Sequence, residues 1–189
     1  MAKKKQPVLP EWQVDAKTPS SYSACETRAG RKFIIRLTTG ADPTLAIEQF
    51  AKDNNIKYGI VNTAFMGAFQ PTHYYVWAPD TANPDNWHRE VEAVCENLSM
   101  LTAIGGMIGQ RPTKEGGEET FVAMHFCAGA SWNNGPIMGH LLKGTRVKGV
   151  MQCIITELLD IEVLPPVDVF DGFYAYTYPE NFYKNIAKK

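Results

Sequence analysis

Three side chains in this sequence have the types and spacing to hold a metal ion. His125 and Cys127 lie in Phe121-Val122-Ala123-Met124-His125-Phe126-Cys127, and His140 follows thirteen residues later in Met138-Gly139-His140-Leu141-Leu142. The first segment reads as a β-strand, whose side chains alternate between two faces, so His125 and Cys127 share a face while Met124 and Phe126 take the other. Ser131-Trp132-Asn133-Asn134-Gly135-Pro136 is rich in turn residues and predicts a hairpin that returns His140 to that face. A turn centred on Asn133-Asn134 sets Cys127 opposite His140; one centred on Asn134-Gly135 sets Gly129 there. Either register leaves His140 beside the other two, because cross-strand neighbours on one face lie about 4.5–5.5 Å apart and diagonal ones about 7–8 Å. Two imidazoles and one sulfur suit zinc or a neighbouring transition metal rather than magnesium or calcium. The alternative is structural: a thiol packed as a small hydrophobe, with both histidines hydrogen-bonded.

The elements that must position these groups follow from the rest of the chain. Its 189 residues suffice for one domain, and 44% hydrophobic with 21% charged residues is a globular composition. No apolar run reaches the roughly 18 residues of a membrane span, and Met1 to Pro7 lacks the apolar segment of a secretory signal. A cytoplasmic location follows, with Cys25, Cys95, Cys127 and Cys153 as free thiols. Cys95 and Cys153, in apolar segments, are expected in the core. The net charge of -1 gives no overall field to attract a polyanion, and the three N-terminal lysines read as a solvated tail.

Residues 1–30 read as a polar arm, 31–163 as the domain and 164–189 as an aromatic extension. Lys32 to Leu37 predicts a strand. Asp42 before Pro43 is a helix start, and Leu45, Ala46, Ile47, Phe50 and Ala51 give that helix its apolar face up to Asp53-Asn54-Asn55. Tyr58 to Phe65 predicts a mostly buried strand and Thr72 to Trp77 another. Glu90 to Ile108 predicts one or two strands with a bend or bulge near Gly105-Gly106. Val147 to Val163 is a second long β-type stretch. The seven aromatic residues between Phe170 and Tyr183 are expected to pack on the core, on another subunit or over a pocket. The fold class is α/β, more strictly α+β: a largely antiparallel sheet with few helices.

Four further residues are candidate pocket groups. His73 stands among aromatic residues, and Asn62 lies in an apolar strand where a buried amide needs partners. Arg146 follows a turn and suits either an anionic ligand or a surface carboxylate. Glu157, with His73, is a candidate acid or base by residue type. His88 is expected in an exposed loop.

The order of these segments resembles the PPC (plants and prokaryotes conserved) domain family over residues 31–163. The resemblance rests on Phe33-Ile34-Ile35-Arg36-Leu37 with Gly40, the helix to Asn54-Asn55-Ile56, Gly59-Ile60-Val61, Gly105-Gly106, the hairpin with His125 and Gly139-His140-Leu141, and Glu157-Leu158. It implies a compact trimeric α/β domain and a three-imidazole zinc site, with His125 and His140 as the first and last ligands. Cys127 stands in place of the middle histidine, and Met138 in place of the first glycine of Gly-Gly-His. The fold is similar to that of acetolactate decarboxylase, which implies an enzymatic alternative: a metal-dependent enzyme acting on a small oxo or hydroxy acid. Plant members of the family carry AT-hooks and a DNA-binding label. Here Arg28-Ala29-Gly30-Arg31-Lys32 lacks the Arg-Gly-Arg-Pro core, which argues against a nucleic-acid partner. The resemblance therefore favours a metal-binding homotrimer that recognises a small molecule or a protein.

Overall fold

The computed structural model describes residues 25–78, 89–113, 116–129, 135–163, 168–169, 176–177 and 183–187. Among them one helix, α1 (Pro43–Asp53), accompanies fourteen strands. The principal strands are β1 (Arg28–Thr38), β2 (Gly59–Phe65), β4 (Thr72–Ala78), β5 (Arg89–Cys95), β6 (Ser99–Pro112), β7 (Glu118–Gly129), β8 (Ile137–Leu141) and β10 (Val150–Leu159). They form one antiparallel sheet in the order β1-β10-β2-β6-β7-β8-β4-β5, joined by the short β3 (Ala68–Phe69) and β9 (Val147–Lys148). Two separate ribbons complete the strands: β11 (Ile161–Val163) with β14 (Tyr183–Asn185), and β12 (Asp168–Val169) with β13 (Tyr176–Thr177).

Helix α1 starts where the sequence places it. The Asp42 carboxylate accepts the Thr44 and Leu45 amides at 3.0 and 3.2 Å, and Pro43 opens the first turn. Its apolar side, through Ile47 and Ala51, lies on the sheet with Leu37, Val61, Ile104, Ile108, Val122, Met124, Phe126, Met151, Cys153 and Ile155. Phe33 meets Phe50 edge to face at 5.1 Å, and Phe126 meets Tyr74 at 5.5 Å. One sheet face is thereby sealed.

The other face is open. Pairing registers place Ile34, Ile154, Asn62, Gly105, His125, His140, Tyr75 and Glu92 in a single row across eight strands. Ile34 at the end of that row is 67% exposed, and Ile60 and Ile154 nearby are also exposed. This corrects the expectation of a mostly buried strand at 58–65: only Gly59 and Val61 of β2 are buried, Ile60 and Asn62 stand on the exposed face, and Thr63, Ala64 and Phe65 are exposed as well. The segment 90–108 divides into β5 and β6, and its irregularity falls between Leu101 and Ala103 instead of at Gly105-Gly106. Cys153 is in the core as expected, whereas Cys95 ends β5 half-buried, with its sulfur 3.5 Å from the Ser99 hydroxyl. His88 and most of the aromatic C-terminal cluster lie outside the described residues.

Asp42 ties the helix to the loop after β8. Its second carboxylate oxygen accepts the Gly144 amide at 2.7 Å and the Arg146 guanidinium at 3.0 Å, and the residue is only 7% exposed. Replacing Asp42 with Ala removes the cap, takes its acceptor from the part-buried Gly144 amide and leaves the Arg146 guanidinium only the Thr145 carbonyl oxygen at 3.3 Å. Urea unfolding is expected to show a loss of about 2–3 kcal/mol. A loss confined to a few tenths would mean that the cap is dispensable.

Candidate metal centre and adjoining cleft

Strands β7 and β8 pair His125 with His140, Phe126 with Gly139, Cys127 with Met138 and Ala128 with Ile137. Both registers expected from the turn residues are therefore corrected, by two residues from the nearer one. Because the slip is even, the shared face survives. The two imidazoles stand directly across from each other, edge to face, with ring centroids 5.2 Å apart. Cys127 occupies the same face one diagonal step from His140, opposite Met138.

His140 is held from its other side by β4. The Tyr75 ring stacks on it at 4.6 Å, nearly parallel at 17°. That contact depends on Gly139, whose φ of +155° and whose position against the Tyr75 carbonyl oxygen leave no room for a Cβ. Burial pushes the His140 pKa down to about 4, with the neighbouring His125 adding to the effect. At neutral pH the ring is therefore uncharged and retains a lone pair for a ligand or an ion.

The residues present fit an ion in part. Two imidazoles meet on one face, one of them fixed by stacking and neutral. Among the described residues, however, no three side chains of metal-ligating type converge, so Cys127 is not gathered with the histidine pair. Its sulfur shares the face without closing a three-ligand set.

Beside His140 opens a cleft of about 500 Å³, at the point where β8 ends and leaves the sheet between β7 and β4. Tyr75, Phe121, Leu141 and Leu142 form apolar walls, and His73, Glu92 and Arg111 contribute polar groups. Thr44 and Glu48 of α1 line it too, together with Lys143, whose Nζ lies 3.0 Å from Glu48. Sequence reasoning overlooked this α1 contribution. The available signal was a polar pair four residues apart beside the apolar stripe of an otherwise amphipathic helix.

Of the four expected pocket groups, only His73 lines this cleft with His140. Asn62 is exposed on the open face, in the His125 row but separated from it by the strand carrying Gly105. Glu157 lies on the covered face, where Arg31 binds both its oxygens at 2.8 and 2.9 Å and holds its carboxyl below the usual range. Arg146 pairs with Asp42, a buried carboxylate instead of the expected surface one. Arg28 likewise pairs with Asp160 at 2.9 Å, so both arginines of the basic stretch at 28–32 are engaged within the domain.

A helix-backed antiparallel sheet with an open face carrying paired histidines defines the class of domain. The sequence profile of the Plants and Prokaryotes Conserved (PCC) domain matches residues 25–159, and the chain belongs to that family. Solved structures agree in fold. A plant- and prokaryote-conserved (PPC) protein from Pyrococcus horikoshii superposes with a TM-score of 0.60 at 17% identity, covering 83% of this chain and 96% of its own. A metal-containing protein from Archaeoglobus fulgidus gives 0.56 at 17% identity, covering 72% and 86%. A hypothetical protein from Salmonella gives 0.54 at 15% identity, covering 74% and 86%. Among curated proteins, none matches the chain. No helix among the described residues is long and apolar enough to cross a membrane.

The depressed His140 pKa has a measurable consequence. The unfolded chain protonates this residue near 6.5 and the folded chain only near 4, so unfolding takes up a proton in between. In metal-free protein the thermal midpoint is expected to fall as pH drops from about 6.5 to about 4. His140→Gln should flatten that fall, and an unchanged slope would assign the proton to another group.

Proposed function

We propose that this chain is a metal-binding homotrimer that recognises a small molecule. The observation that carries the reading is the cross-strand pair His125 and His140, one ring of which also lines the adjoining cleft. His125 and His140 hold the ion, and Cys127, one diagonal step away on the same face, adds its thiolate by moving toward the pair on binding. Zinc is the first choice, since it takes imidazole and thiolate ligands together. The ion would act as a Lewis acid toward an oxygen or nitrogen of the bound molecule. The metal-containing relative from Archaeoglobus fulgidus supports this reading. Self-association has its own support in the exposed Ile34, Ile60 and Ile154, which form an apolar strip on the uncovered face.

An enzymatic role on a small oxo or hydroxy acid would need an acid or base beside the ion. His73 remains a candidate by position, whereas Glu157 is occupied by Arg31 on the other face. Recognition requires no such group and is the reading preferred here. Nucleic acid is disfavoured by the near-neutral charge and by the internal pairing of Arg28 and Arg31.

The test is metal content and mass on untagged protein. About one zinc-class ion per chain is expected, with His140→Ala retaining less than roughly a tenth of it and Cys127→Ser lowering affinity while leaving the fold intact. Light scattering should give three times the 21.1 kDa chain mass. Metal-free protein that gains no ion on dialysis against zinc would sink the metal reading, and a monomer would sink the trimer.

A further inference from the structure

The inner end of the cleft beside His140 is polar in a particular way. Thr44 and Glu48, four residues apart on α1, present a hydroxyl and a carboxylate on one side of the helix. Thr44 is 3% exposed and its Oγ1 has no hydrogen-bond partner, which is costly for a buried hydroxyl and marks a place for one. The Glu48 side chain is 9% exposed, so its charge has lost most of its water and demands a cation. That cation is an ammonium, Lys143 Nζ at 3.0 Å, carried on a side chain that is itself 49% exposed. A half-exposed lysine is a weak holder of such a position, because its gain from pairing is set against its own hydration and side-chain entropy.

We infer that the cleft binds a small primary amine whose ammonium replaces Lys143 Nζ on Glu48. Lys143 then swings into solvent, and the Thr44 hydroxyl accepts a second ammonium proton one helical turn earlier. The apolar body of the ligand lies between the rings of Tyr75 and Phe121 and the side chain of Leu142, within a volume suited to a ligand of metabolite size. An ammonium near aromatic faces gains further from their quadrupoles. A carboxylate of the same shape would meet Glu48 and be repelled. The inference rests on the recognition role proposed above and names its ligand class.

Phenethylamine and phenylacetate, matched in shape and opposite in charge, are the probes for calorimetric titration. Phenethylamine should bind and phenylacetate should not. Glu48→Gln should weaken the amine about tenfold or more, through loss of a charged acceptor. Lys143→Met should tighten it by about threefold, through removal of the internal competitor at an exposed ion pair. That gain is the distinguishing sign, since a lysine that merely completes the pocket would weaken binding when removed. Should Glu48→Gln fail to fold, as judged by its unfolding midpoint, Lys143→Met decides the matter alone. Preference for phenylacetate, weaker amine binding in Lys143→Met, or no amine binding at millimolar concentration would each overturn the inference. Metal content measured on the same samples separates the two readings: amine binding without metal overturns only the metal site, and full metal content without amine binding overturns only this one.

Discussion

Among the described residues one helix covers one face of a ten-stranded sheet, and the unequal treatment of the two faces governs the rest of the described structure. On the covered side, alternate residues of β1, β10, β2, β6 and β7 become core together with Ile47 and Ala51. On the open side, the intervening residues stand in water or await a partner. A histidine in this sheet is therefore either sealed or displayed, and the parity of its position decides which. His125 and His140 fall on the displayed side, as do Tyr75 and Glu92. A one-residue slip between β7 and β8 would send His140 into the core and Leu141 into solvent, so the apolar burial of Leu141 and Phe126 holds the imidazole pair in register.

Parity is also why part of the site could be read from the sequence. The alternation of Phe121 to Cys127 fixes which residues share a face whatever the turn geometry, and any even error in the turn preserves the result. The register itself was not legible. It depends on the connection between β7 and β8, where several residues tolerate the required backbone angles and none of them dictates one turn. Helix α1 was legible at both ends because Asp42, Pro43 and Asn54-Asn55 each act locally. The buried strand expected at 58–65 was overestimated for a different reason: Ile60 and Ala64 are apolar, yet an apolar residue on an uncovered face stays exposed, and sequence does not say how many layers a sheet receives.

Polar residues chosen by type alone separated into two groups once their neighbours were known. Glu157 and Arg146 are each consumed by a partner distant in sequence, Arg31 and Asp42. In both cases a substantially exposed arginine meets a nearly buried carboxylate, so the pair fastens the chain and leaves little free charge for chemistry. Of these residues His73 alone lines the cleft beside His140. Thr44 and Glu48 escaped notice because a threonine and a glutamate in a helix usually face solvent. Here they are buried, next to Ile47 and Ala51 on the sheet-facing part of α1, where they line the inner end of the cleft.

His140 belongs to both the proposed metal centre and the cleft, and this sharing constrains how the two would behave. Its ring is pinned by Tyr75 on one side and faces His125 across the strand pair, so it has little freedom to serve one occupant without affecting the other. An ion on the imidazole places positive charge at the cleft wall, which would oppose an ammonium nearby, while Glu48 at the inner end attracts it. The outcome depends on distance, because charges in a partly buried cleft are screened less than at an open surface. Thermodynamic linkage then requires reciprocity: by whatever factor the ion changes amine affinity, the amine changes ion affinity equally. The proposed ion and the proposed amine would thus be coupled through one aromatic stack, Tyr75 on His140, without any rearrangement of the sheet.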